Sequence, residues 1–72
     1  MNDVRKRFEE IATQPREFQV LVVAVKRPEG AIETIQNHYL LKEKIAYYLE
    51  KYDDLFRLKA NPEVQVIDFI LV

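Results

Sequence analysis

The sequence predicts a small α+β domain whose elements follow in the order α-β-β-α-β. Two runs, 18–25 and 64–72, are apolar at both odd and even positions, as buried strands are. Two other segments, 2–13 and 38–56, repeat apolar residues at helical spacing. A turn sequence after the first apolar run predicts a further strand. We therefore expect residues 1–72 to form one domain, in which three strands make a sheet packed with two helices.

The composition is that of a folded domain with few means of holding a metal or a cofactor. Of the 72 residues, 49% are hydrophobic and 32% are charged, which is typical of a globular chain. A domain of this size buries only about 60% of the surface that its unfolded chain exposes, so its stability margin should be small. The chain has no Cys and one His, which excludes disulfides and a zinc site of the usual ligand count. We expect no cofactor.

The net charge of -1 provides no overall attraction to nucleic acid or to an acidic membrane. The longest apolar runs are far shorter than the about 20 residues that span a bilayer, and the N-terminus has no signal-like segment. We expect a cytoplasmic protein without membrane contact, and we do not expect nucleic acid as its main partner.

The first helix is expected to begin at Asn2 or Asp3 and to end before Pro15. Its apolar stripe consists of Val4, Phe8, Ile11 and Ala12. Its charged face carries Arg5, Lys6, Arg7, Glu9 and Glu10. The helix should therefore pack through one side only.

A β-hairpin is predicted around the only glycine of the chain. Strand one covers residues 17–26, and Pro28 favours the second position of a turn that Gly30 can close in a left-handed conformation. The returning strand, 31–36, is mostly polar, which predicts an edge strand. The alternative is that a helix begins at Ala31, because the apolar residues that follow also fit helical spacing.

The second helix is expected to begin near Asn37, its candidate N-cap, and to end between Asp54 and Lys59. Asn61-Pro62 then turns the chain into strand three. The stripe expected to face the sheet contains Leu41, Ile45, Tyr48, Leu49, Tyr52 and Phe56. A right-handed crossover through this helix gives a three-stranded mixed sheet of order 2-1-3, with the apolar strand three at an open edge.

Side-chain alternation divides the strands into two apolar faces. The face expected under the second helix comprises Phe18, Val20, Val22, Ala24, Ile67, Phe69 and Leu71. The opposite face comprises Leu21, Val23, Val25, Val64, Val66, Ile70 and Val72, with Gln19 and Asp68 as polar interruptions. Either the N-terminal helix or another chain must cover this second face.

Side chains that could carry out catalysis are few. The chain contains neither Ser nor Cys, which excludes nucleophilic catalysis by these residues, and Gly30 alone cannot form a phosphate-binding loop. His38 lies beside the start of the second helix, and we interpret it as a surface residue. Asp68 interrupts an apolar strand, where a structural or interface role is favoured over a catalytic one because an inward charge discourages uncontrolled strand pairing.

These observations predict a non-enzymatic homodimer that acts through protein contacts, as an accessory protein or an inhibitor. The residues expected at a partner surface are Tyr47, Val66, Asp68, Ile70 and Val72. One alternative is a nucleic-acid-binding module that uses the basic N-terminal helix. The other is a small enzyme with a site around Asp68 or His38.

Overall fold

The chain folds into two helices and a four-stranded sheet in the computed structural model, which describes residues 3–13, 20–37 and 41–72. The elements are α1 (Asp3–Ala12), β1 (Leu21–Lys26), β2 (Ile32–Asn37), α2 (Leu41–Lys51), β3 (Arg57–Leu58) and β4 (Asn61–Leu71). The predicted α+β class is confirmed, and the two-residue strand β3 is additional. The following residues of the predictions lie outside the described part of the chain: Asn2, Pro15, Phe18, Gln19, His38 and the side chain of Leu41.

The strand order is β2-β1-β4-β3, and β1 pairs antiparallel with both of its neighbours. The predicted order therefore holds for the three predicted strands. The description of the sheet as mixed is wrong, because β2 and β4 run in the same direction but are separated by β1. The prediction of three strands is also wrong, since β3 adds a short antiparallel pairing beside the first half of β4.

The predicted hairpin is confirmed, and a helix starting at Ala31 is excluded. The Gly30 N–H donates to the Arg27 carbonyl at 2.9 Å, and the Arg27 N–H donates to the Ala31 carbonyl at 2.8 Å. Gly30 has φ of 91°, in the left-handed region that a residue without Cβ adopts at no steric cost. The side chains of Arg27 and Glu33 add an ion pair of 2.7 Å across the turn.

Helix α2 ends at Lys51, several residues before the predicted end. Asp53 stops it, because its carboxylate Oδ1 accepts the backbone N–H groups of Leu55 and Arg57, both at 2.9 Å. Phe56 then takes φ of 59°, which is rare for an aromatic residue, and its ring is fully buried. Phe56 therefore packs in the core as the sequence predicted, but from a turn and not from the helix.

The predicted N-cap of α2 is also wrong. Asn37 is the last residue of β2, and its side-chain amide donates to the Leu21 carbonyl at 3.1 Å. A buried side-chain amide needs a hydrogen-bond partner, and the Leu21 carbonyl at the start of β1 is that partner. The helix itself begins at Leu41.

A β-bulge at Ile67 reverses which side chains of β4 face the helices. Val25 lies opposite Val66, whereas Ala24 lies opposite Asp68, so Ile67 is the extra residue. Even-numbered side chains face the helices before the bulge, and odd-numbered ones face them after it.

The predicted division of the strands into two faces is therefore wrong, because strict alternation cannot cross a bulge. The side chains on the helical side of the sheet are Leu21, Val23, Val25, Val64, Val66, Phe69 and Leu71. Val22 and Ala24, expected under the second helix, lie on the opposite side, together with Ile70.

Both helices lie on the same side of the sheet. The ring centroid of Phe8 in α1 is 5.8 Å from that of Tyr48 in α2 and 5.1 Å from that of Phe69 in β4. The buried core consists of Phe8, Leu21, Val23, Val25, Ile45, Tyr48, Tyr52, Phe56, Val64 and Val66. Helix α1 thus packs beside α2, and no element of the described chain covers the other face of the sheet.

Candidate interaction surface

The open face, which we define as Val22, Ala24, Ile32, Thr34 and Ile70, is turned away from both helices. Ile32 is 61% exposed and Ile70 is 56% exposed, while Val22 and Ala24 are half-buried. The small side chain of Ala24 leaves a shallow hollow of about 160 Å³ between its neighbours. The same side of the sheet also carries Lys26, Gln36 and Asp68, which lie opposite Ile32, Val22 and Ala24 in the strand register. An exposed apolar surface that polar side chains border is typical of interaction sites.

The outer edge of β2 is a second feature of this side of the molecule. Arg27 and Ala31 form a hydrogen-bonded pair, because the Arg27 N–H donates to the Ala31 carbonyl. Hydrogen-bonded and non-hydrogen-bonded pairs alternate along an antiparallel ladder, so the odd-numbered residues of β2 bond to β1. The backbone N–H and C=O groups of Ile32, Thr34 and Gln36 therefore point outward. We call these groups the β2 edge, and no strand of the described chain pairs with it.

A groove runs between β2 and α2, beside the β2 edge. Ile35 on the strand is 37% exposed, and Tyr47 on the helix is 49% exposed. The residues that line the groove are Ile35, Asn37, Glu43, Lys44, Tyr47 and Tyr48. The groove therefore offers apolar surface next to unpaired backbone groups.

The inner end of the groove is fixed by a buried polar contact. Besides its bond to the Leu21 carbonyl, the Asn37 amide donates to the Tyr48 hydroxyl at 3.5 Å. Burial raises the pKa of the Tyr48 hydroxyl, and the bond from Asn37 offsets part of that rise. Asn37 thus ties the end of the hairpin to α2 and holds the groove in shape.

The second half of β4 extends beyond its pairing with β3, so its outer edge has no strand of the described chain beside it. This β4 edge is obstructed. Val20 and Val72 exchange two backbone hydrogen bonds of 2.9 Å, so the Phe69 N–H points away from β1. The Asp68 carboxylate accepts this N–H at 2.9 Å and an Arg7 guanidinium N–H at 3.2 Å. The Arg7 guanidinium carbon also lies 5.5 Å from the centroid of the Phe69 ring. Charge and an adjacent helix therefore occupy this edge.

The residues predicted at a partner surface do not form one site. Val66 is fully buried in the core and presents no surface to a partner. Tyr47 lies in the groove, whereas Asp68, Ile70 and Val72 lie at the exposed end of β4. Ile70 belongs to the open face, and Asp68 borders it, since it lies opposite Ala24 in the strand register.

The residues of β2 were not among those predicted at a partner surface. Ile32, Thr34, Ile35 and Gln36 are all exposed. The available signal was the polar composition of a strand already predicted at an edge, which identifies an edge but does not say whether it is covered.

Two basic side chains that the sequence offered for a nucleic-acid patch, Arg5 and Arg57, are bound within the fold. The Arg5 guanidinium donates to the Tyr52 carbonyl at 3.0 Å and to the Leu49 carbonyl at 3.3 Å, at the end of α2. Arg57 pairs with the Asp53 carboxylate at 3.2 Å. These two side chains bind within the fold and stabilise it.

The part of the chain that the structure describes has neither a metal-binding cluster nor a membrane-spanning helix. In this part, no three His, Cys, Asp or Glu side chains lie close enough together to hold a metal ion. No helix of the described residues has the length and hydropathy to cross a membrane. Comparison with known proteins found no protein-family model, curated protein or solved structure that matches the chain.

Proposed function

We propose that this chain is a non-enzymatic protein-interaction module that works as a homodimer in the cytoplasm and binds a protein partner, as an accessory protein or an inhibitor. The observation that carries the proposal is the open face. Its exposed apolar side chains lie on the side of the sheet opposite to the core that both helices cover. Removing apolar area from water contributes about 25 cal/mol per Å² to association, before the entropy lost on binding is subtracted.

The two other interpretations have less support. A nucleic-acid-binding module would use the basic side chains of α1, but Arg5 is engaged at the end of α2 and Arg7 at Asp68. An enzyme around Asp68 would need a second acid-base group beside it, and its neighbours on the open face are Val22, Ala24 and Ile70. Neither arrangement is favoured by a specific contact.

Comparative affinity capture from a native lysate of the source cells tests the proposal. The baits are the wild type, Ile70→Lys on the open face, and Glu10→Lys as a control that changes an exposed residue of α1. We expect one set of proteins to be retained by the wild type and by Glu10→Lys, and to be lost with Ile70→Lys. Equal retention by Ile70→Lys would contradict the assignment of the open face as the binding surface.

A further inference from the structure

The sheet has two free edges, and they differ in how well they could pair with another strand. An unpaired edge presents a row of backbone donors and acceptors that invites addition of a strand. Folded proteins obstruct such edges with bulges, charges or a covering element. If one edge of a sheet has these features and the other lacks them, the edge that lacks them is the better candidate for pairing with another strand.

The β4 edge carries all three devices. Ile67 forms a bulge, which bends the strand and breaks its register. Asp68 places a carboxylate at the edge and takes the outward N–H of Phe69. Helix α1 lies alongside, with Arg7 bound to that carboxylate. This edge, where the sequence predicted an open and apolar strand three, is poorly suited to pairing with another strand.

Among the described residues, the β2 edge has neither a bulge nor a covering element. Its register with β1 runs through six consecutive residue pairs without a shift. The strand contains no Pro, Lys or Arg, and its one charged side chain, Glu33, is paired with Arg27. A regular and nearly neutral edge strand is suited to pairing.

We propose that β2 pairs antiparallel with β2 of a second copy of this chain, about a two-fold axis at Ile35, so that two four-stranded sheets join into one. The inference rests on the proposed function, since it specifies how the homodimer forms. The open faces of the two copies then become one continuous surface for the protein partner.

The register follows from the side chains that would meet. A two-fold axis at Glu33 would place two carboxylates opposite each other, which destabilises a strand pair. An axis at Ile35 instead places this apolar side chain against its own copy, in the closer, non-hydrogen-bonded type of pair. Thr34 and Gln36 then lie opposite each other and exchange backbone hydrogen bonds through the β2 edge.

A second copy fits this edge because the surface is complementary to itself. The groove beside Ile35 holds the exposed ring of Tyr47, and a two-fold axis brings the two grooves side by side. Each groove carries one acidic and one basic side chain, Glu43 and Lys44, so a symmetric pairing brings no excess of one charge. Two-fold symmetry is also the commonest arrangement of soluble homo-oligomers.

Sedimentation equilibrium of the full chain at tens of micromolar tests the inference. The wild type should have the mass of two chains. Thr34→Pro removes an outward N–H that the monomer does not use, a position where edge strands tolerate proline, and it should give the mass of one chain. Ile35→Lys opposes two ammonium groups at the axis and should also give one chain. The control Ile32→Lys changes an exposed isoleucine of the same strand away from the axis, and it should keep the dimer.

The outcomes separate this inference from the proposed function. A dimer that survives both Thr34→Pro and Ile35→Lys but dissociates with Ile32→Lys would place the interface on the open face, overturning the β2 pairing while the homodimer stands. A wild-type mass of one chain would overturn the β2 pairing and the homodimer together, while the affinity capture would still decide partner binding. Circular dichroism spectra of each variant must match that of the wild type, and heteronuclear NMR spectra must show the dispersed peaks of a folded chain. If the proline variant does not fold, Ile35→Lys carries the test alone.

Discussion

At the scale of single residues, Arg5 joins α1 to the end of α2. Its side chain is 14% exposed, and its guanidinium donates to the carbonyls of Leu49 and Tyr52 that the helix leaves without internal partners. Replacing Arg5 with Gln should lower the free energy of unfolding by about 1.5–3 kcal/mol, because hydrogen bonds to a charged group are lost.

Urea denaturation at a fixed protein concentration measures this change, and Arg7→Gln is the matched control. The Arg7 side chain is 56% exposed, and an exposed ion pair contributes about 0–1 kcal/mol. Equal effects of the two substitutions would refute the assigned role of Arg5.

A second pair of residues tests the position of the core. Ile45 is 2% exposed, whereas Ile32 is 61% exposed. Ile45→Ala should lower the free energy of unfolding by about 2–5 kcal/mol, enough to unfold much of so small a domain. Ile32→Ala should change it by less than about 0.5 kcal/mol. Near-identical thermal midpoints for Ile45→Ala and the wild type would rule out the packing described for α2.

At the scale of elements, the turn after α2 depends on an ionised carboxylate. The hydrogen bond from the Arg57 N–H, with smaller contributions from the Leu55 N–H and the Arg57 side chain, lowers the pKa of Asp53 below its ordinary value of 3.8. A carboxyl group with a lowered pKa in the folded state stabilises the fold above its unfolded pKa. That contribution is lost as the pH falls through the folded pKa.

The free energy of unfolding of the wild type should therefore fall from about pH 5 to about pH 2 more steeply than that of Asp53→Asn. Asp54→Asn is the control, because it changes an exposed neighbour outside the hydrogen bonds of this turn. Guanidinium chloride titrations at a series of pH values give the two slopes, and parallel slopes for the wild type and Asp53→Asn would count against this role.

The elements that the sequence predicted are those that local chemistry determines. Pro28 and Gly30 define the hairpin by their own backbone preferences, and the helices follow from the spacing of their apolar residues. The left-handed Phe56 and the bulge at Ile67 were not predictable in this way, because neither position holds a glycine or another local mark. Both conformations are stabilised by contacts between distant parts of the chain, such as the bond from the Val66 N–H to the Phe56 carbonyl.

The bulge also limited what could be predicted of the candidate site. The bulge reverses the alternation within β4, so the sequence assigned Val66 to the wrong side. Val22 was also assigned to the wrong side, but β1 alternates regularly, so this error came from choosing the wrong face of β1 for the helices. Ile70 follows the bulge, and the sequence assigned it correctly to the face away from the second helix.

At the scale of the whole molecule, the fold has one side that it completes by itself and one side that it leaves open. Both helices, with the buried parts of β1 and β4, form the core on the first side. The open face and the β2 edge remain on the second, with no described residue packed over them. The central claim is that another copy of the chain pairs with the β2 edge.

Amide hydrogen exchange along β2 tests this claim most directly. The N–H groups of Glu33 and Ile35 bond to β1 in the monomer, whereas those of Thr34 and Gln36 point outward. If β2 pairs with its copy, Thr34 and Gln36 will be protected at high protein concentration and will exchange faster on dilution, while Glu33 and Ile35 will stay protected. Exchange of Thr34 and Gln36 at the rate of an unstructured peptide at every concentration, beside a protected Ile35, would contradict the claim.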